Sequence, residues 1–351
     1  MAIEWLAGNR LRGTTAERPA LGLQSPSVGG WVEVGRTTLG SAGDNIDITS
    51  LPDKRYYMYL LHRDTSGSTS SRMTFNDDSG SNYATRYASN GTEYTATSQS
   101  YVSQHTSSSE DSFTCGYIAN KSDKEKLISS WIVGNATPPS RYEQFWKWTN
   151  TSSAINRIDI FNHLGGDLDI GSELVVLGWD PADTHTTNFW EELASVELSS
   201  AGDNLSSGTI SAKKYLCLQA YLIPSGAVDT SIQCNNDTSN NYSMRNEYNG
   251  ATDNTFGSLT RYYPYINAGS GTAFTTPMFI NIFIINNASN EKLFISHTVM
   301  QNTAGAGNAP NRNQSVGKWA NTSNQITEIE FNNGDTGDYD TGSILKVWGA
   351  D

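Results

Sequence analysis

Apolar residues along this chain come in short runs divided by Gly, Ser, Asn and Asp. Tyr56 to Leu61 reads YYMYLL, Tyr215 to Ile223 reads YLCLQAYLI, and Met278 to Ile285 reads MFINIFII. Runs of this length, rich in aromatic and branched side chains and bounded by turn formers, predict β-strands. MFINIFII is the most apolar of them and predicts a central strand buried on both faces. SELVVLGW and SILKVWG predict two further strands. A helical period is traceable only over Asn188 to Leu198, which reads equally well as the entry to a strand. Many short strands separated by polar turns predict an all-β fold of antiparallel, jelly-roll-like sandwiches.

The pattern occurs twice. SAGDN at Ser41 to Asn45 recurs at Ser200 to Asn204, an offset of 159 residues. The same offset carries Lys54-Arg55-Tyr56 onto Lys213-Lys214-Tyr215, and FNDDSGSNY (Phe75 to Tyr83) onto CNNDTSNNY (Cys234 to Tyr242). KLISSWIV (Lys126 to Val133) returns as KLFISHTV (Lys292 to Val299) at offset 166. KWTNTS (Lys147 to Ser152) returns as KWANTS (Lys318 to Ser323), and GDLDIGSELVVLGWD as GDYDTGSILKVWGAD, both at offset 171. Collinear blocks whose offset only grows describe a duplicated domain with loop insertions. The expected organisation is an N-terminal arm over residues 1–30, one domain over 31–181, an ADTHTT linker, and a second domain over 188–351.

Composition narrows the function. The chain has 36 acidic and 23 basic side chains and a formal net charge of −13. That balance disfavours a nucleic-acid partner, whose phosphates must be met by Lys and Arg. No apolar run approaches the ~20 residues of a membrane-spanning helix. The first residues lack a basic segment followed by an apolar one, so no Sec leader is expected. Cys115, Cys217 and Cys234 are too few for a disulfide framework, and no zinc, phosphate-loop or metalloprotease motif is present. No cofactor is expected.

The blocks GRTTLGSAGDN (Gly35 to Asn45), KRYY, FNDDSGSNY with Arg86, and GSELVVLGWD resemble a family of bacteriophage and viral virion-associated proteins, known mainly from environmental sequences. Those proteins are built of β-sandwich domains and are similar to subunits of extracellular protein filaments. The resemblance covers both repeats and fades in the first 30 residues. It implies an assembly or surface role, on a virion or outside the cell, and supplies no catalytic residues.

Candidate sites follow from the residues. The arm lies outside the repeat, and its Ile3, Trp5, Leu6, Leu21 and Leu23 form an extended apolar segment suited to addition onto a neighbouring copy. Its alternative is packing on its own chain. Trp148 and Trp319, each in a K-W-x-N-T-S block, are candidates for stacking on sugar rings, or else core residues. The N-x-S/T sequons at Asn150 and Asn321 fall at equivalent places and are candidates for glycosylation. Asp78 and Asp237 sit among side-chain oxygens that suit calcium, but Asn, Asp and Gly in such a run also make a plain turn. Asp167/Asp169 and Asp338/Asp340 are paired carboxylates at a strand entry, again with a turn as the alternative. Cys217 and Cys234 flank Pro224-Ser225-Gly226; a hairpin there would put them opposite one another, while Met58 and Phe75 at the equivalent places point to buried thiols. The expectation is a non-enzymatic structural protein that self-associates head-to-tail through its arm into a homo-oligomer or helical filament. The alternative is a glycan-binding surface protein; a glycan-cleaving enzyme lacks a credible acid pair.

Overall fold

A computed structural model describes residues 30–105, 109–180, 189–267, 270–271 and 273–351. The arm residues Ile3, Trp5, Leu6, Leu21 and Leu23 and the ADTHTT linker lie outside the described residues. The protein is all-β, with no helix among the described residues and so none long and apolar enough to cross a membrane. It consists of two tandem antiparallel β-sandwiches.

Each repeat forms one large and one small sheet. In spatial order the large sheet of the first copy runs Val32–Thr38, Glu173–Trp179, Tyr56–Arg63, Ser112–Ala119, Lys126–Gly134, Ser140–Trp148, Tyr83–Ser89 and Thr92–Gln99. Its small sheet is Asn45–Ile48, Ile158–Asn162, Ser71–Phe75 and Val102–His105. The second copy repeats the large sheet as Glu191–Glu197, Ile344–Ala350, Tyr215–Leu222, Met278–Ile285, Lys292–Met300, Asn311–Trp319, Tyr242–Tyr248 and Asn254–Leu259. Asn204–Ser206, Ile329–Asn333 and Thr230–Cys234 form its small sheet. The chain passes repeatedly from large sheet to small and back, which is what makes each unit jelly-roll-like. The stretch that reads as helix or strand entry, 188–198, contains the edge strand Glu191–Glu197.

Side chains alternate across a strand, so each large sheet has two faces. The inner face packs on the small sheet. In the first copy Tyr57, Tyr59, Leu61, Ile118, Ile128 and Trp148 meet Ile46, Met73, Phe75 and Ile160. In the second Leu216, Leu218, Ile282, Ile284 and Trp319 meet Leu205, Ile232 and Phe331. The outer faces of the two large sheets pack on each other. Met58, Leu60, Phe113, Cys115, Val133, Val175 and Leu177 from the first copy share one buried cluster with Tyr215, Phe283, Ile285, Leu293, Ile295, Val316 and Ala350 from the second. The layers therefore run small, large, large, small. Trp131 and His297, equivalent residues of the repeat, meet edge-on with ring centroids 4.8 Å apart, so equivalent strands face one another across this junction.

Met278–Ile285 is central, between Tyr215–Leu222 and Lys292–Met300. It is buried on both faces over Ile282–Ile285, while Phe279 near its start remains exposed. The cysteine hairpin is corrected: Pro224 to Gly226 leads from the large sheet to the small one. Cys217 stands beside Phe283 and Trp348, whereas Cys234 pairs with Ile329 in the other sheet. All three cysteines are free.

Candidate functional site

The blocks that repeat most faithfully are scaffolding. Trp148 and Trp319 are 0% and 1% exposed, which corrects the expectation that they offer a stacking face to sugars. Each indole instead donates its N–H to a carboxylate: Trp148 Nε1 to Asp78 Oδ2 at 2.6 Å, Trp319 Nε1 to Asp237 Oδ2 at 2.7 Å. The same carboxylates accept from the Gly80 and Ser239 amides and from the Asn82 and Asn241 carboxamides. Burial would raise both acids, but these donors outweigh it and hold both carboxyls below the usual range. Asp78 and Asp237 are thus the anchors of a turn. Asn76, Asp77, Asn235 and Asn236 take positive φ there, a conformation that Asn and Asp tolerate. Among the described residues no three His, Cys, Asp or Glu side chains gather to hold a metal ion.

The remaining repeated positions have similar roles. Asn150 and Asn321 each turn a side-chain oxygen onto following amides: those of Ser152 and Ser153, and of Ser323 and Asn324. Lys126 and Lys292 each donate to three backbone carbonyls, including those of Asn150 and Asn321 at 2.8 Å. Burial lowers both ammonium groups, Lys292 to about 8. Asp169 and Asp340 accept the amides of Ile170 and Thr341 at turns that continue through Gly171 and Gly342, both at positive φ. Burial raises all three thiols, Cys217 to about 12, which leaves them poor nucleophiles.

Polar groups frame the junction between the copies. Glu173 of the first accepts from Tyr215 Oη at 2.6 Å and Lys214 Nζ at 2.9 Å of the second, and from Arg36 and Thr38 of its own. Burial opposes its charge, but these donors win and hold the carboxyl at about 2. On the far side, the guanidinium of Arg141 reaches Glu143 in its own copy and Asp253 (2.5 Å) and Glu247 (3.5 Å) in the other.

The junction covers only part of each outer face, and the halves used are opposite ones. The uncovered half of the first sheet carries a cavity of about 550 Å3. Among its lining residues are the repeat equivalents of all seven residues that the second copy buries at the junction. Tyr56 answers Tyr215, Tyr117 answers Phe283, Ala119 answers Ile285 and Leu127 answers Leu293. Ser129 answers Ile295, Phe145 answers Val316 and Trp179 answers Ala350. Leu127 is 59% and Phe145 49% exposed. Tyr56 and Trp179 stack, with ring centroids 5.2 Å apart, and Trp31 leans on Trp179 and Tyr117. Trp31 and Tyr117 also line a second cavity of about 520 Å3 between the two sheets, bounded by Met58, Trp190, Gln219 and Phe279. Together the cavities form one aromatic groove.

None of the residues lining the first cavity was a sequence candidate. The available signal was apolar character at successive positions, as in Leu127-Ile128 and Phe145-Trp146, which marks strands with two apolar faces.

No family model and no curated protein matches this chain. Among solved structures it is similar to the LG1-3 region of the laminin alpha2 chain, at 8% identity and a TM-score of 0.20, over 87% of this chain and 64% of that one. It thus spans under two thirds of the laminin fragment. The NanC porin aligns at 10% identity and a TM-score of 0.12, over 75% of this chain and 98% of the porin. Likenesses this low carry no argument about function.

Proposed function

We propose that this protein is a non-enzymatic structural subunit that associates with further copies of itself through the groove on its first large sheet. The virion or extracellular filament setting is the one implied by the resemblance of its repeated blocks.

One comparison carries the reading. Each copy leaves half of its outer face uncovered. In the second copy that half is mixed: Gln219, Asn281 and Lys346 stand where the first copy has Leu60, Cys115 and Val175, while Cys217, Phe279, Val299 and Trp348 keep apolar side chains at the other equivalent places. The uncovered half of the first copy keeps Tyr56, Ala119, Leu127, Phe145 and Trp179. A surface of that kind, matching residue by residue one that is buried elsewhere in the same molecule, is what an interaction face looks like.

The walls also argue against a sugar. A glycan needs donors and acceptors for its hydroxyls beside any stacking face, and the first cavity is lined almost wholly by aromatic and aliphatic carbon, with side-chain amides, Gln219 and Asn281, only at the end between the sheets. With Trp148 and Trp319 inside the cores, the glycan-binding alternative has lost its named residues.

Sedimentation and negative-stain imaging of the full chain test the proposal. We expect rings or filaments that are lost on Leu127→Glu with Phe145→Glu, while thermal unfolding is nearly unchanged because both side chains are exposed. A wild-type chain that stays monomeric at every concentration would refute it.

A further inference from the structure

Resting on that assembly reading, we infer what enters the groove: the apolar tip of the N-terminal arm, Ile3, Trp5 and Leu6, supplied by a second copy of this protein.

The shape selects a slender occupant. One end of the groove lies between the two large sheets, with Met58 and Tyr117 on one wall and Gln219 and Phe279 on the other. A cleft between two sheets suits a single extended chain better than the face of a folded domain. The outer part of the groove, walled by Leu127, Phe145 and Trp179, selects apolar side chains, while Gln219 and Asn281 at the end between the sheets can meet polar groups of an entering chain. An extended segment with large side chains at alternate positions fills pockets of this kind. Ile3 and Trp5 alternate in that way, with Leu6 beside them.

The chain offers such a segment at the right place. Gly30 and Trp31 line the groove themselves, so residues 1–29 start from its rim. The described members of both cores come from residues after position 33.

Length allows a second copy as the source. Ile3 precedes Gly30 by 27 positions, which extended is roughly 90 Å at about 3.3 Å per residue. A compact chain of this size has a radius of gyration of only about 20 Å. An arm of that span is long enough for its tip to reach the groove of a neighbouring molecule. Tip and groove are different surfaces, so the contact is heterologous, and each added molecule leaves one free arm and one free groove. Such a contact yields a ring or an open filament.

The test is complementation between two full-length variants. Ile3→Ser/Trp5→Ser/Leu6→Ser keeps the groove and loses the tip. Leu127→Glu/Phe145→Glu keeps the tip and loses the groove. We expect each alone to sediment as a monomer, and a 1:1 mixture to form a heterodimer and nothing larger. Wild-type-like assembly of the tip variant would overturn the inference while leaving the assembly reading intact. Two monomeric variants that stay monomeric on mixing would overturn the second-copy source. A monomeric wild type would remove the assembly reading itself.

Discussion

The Trp148–Asp78 and Trp319–Asp237 pairs join two distant sequence blocks in each copy, and they explain why both blocks repeat. An indole N–H inside a core needs an acceptor, because an unpaired buried donor costs about 1–3 kcal/mol. The turn FNDDSGSNY supplies that acceptor and is in turn fixed by it. The Tyr83 hydroxyl adds a second tie, accepting the Phe75 amide and donating to the Asp78 carbonyl. Asp78→Ala should therefore lower unfolding stability by about 1–3 kcal/mol in urea titrations. Adding calcium should leave the wild-type midpoint where it is. A calcium-dependent rise in that midpoint, abolished by Asp78→Ala, would restore the cation reading. The turn was legible in the sequence as a cluster of Asn, Asp and Gly. Its partner was not, because a hydrogen bond 70 residues away leaves no mark on local pattern.

Strands were legible where aromatic and branched residues crowd together, and less so along the groove. A half-buried strand announces itself by alternation, but a strand between two packed layers is apolar on both faces and loses that period. MFINIFII shows the effect plainly; LISSWIV hides it behind Ser129 and Ser130. Packing inside a sheet was equally hidden. Gly116, mid-strand in Ser112–Ala119, leaves room for the Tyr59 ring on the neighbouring strand, and a Cβ there would stand 2.2 Å from a ring carbon. The Tyr59 hydroxyl lies 3.2 Å from Gln104 Oε1 and cannot easily retreat. Gly116→Ala should cost about 1–3 kcal/mol through overpacking. Tyr59→Leu should recover part of that loss when the two are combined, so a double-mutant cycle measured by denaturation should show coupling. Additive effects would mean that the ring is not what the new methyl meets.

The duplication was visible in collinear blocks, but the way the copies face each other was not, since equivalent residues have different fates. Leu293 is buried at the junction while Leu127 is open; Val133 is buried while Val299 is open. Only the assembled molecule distinguishes them, and the groove exists because of that difference. Glu173 shows how firmly the copies are joined. It occupies the place of Ile344 in the repeat, so its charge is particular to this junction. Its carboxyl is held at about 2 against an ordinary 4.5. The folded protein thus binds this proton less readily than the unfolded chain does. The stability it contributes is complete above about pH 4.5 and is lost as pH falls toward 2. Breaking a buried charged pair by removing one member costs about 3–5 kcal/mol, so Glu173→Gln should lose stability of that order at neutral pH. Between pH 4.5 and 2 the variant should converge on the wild type, because acid removes from the wild type what the substitution has already taken. Denaturant titrations of both proteins across that range measure the difference directly. Other carboxylates titrate equally in the two chains and cancel. A gap that stays constant down to pH 2 would show that Glu173 does not hold the copies together through its charge.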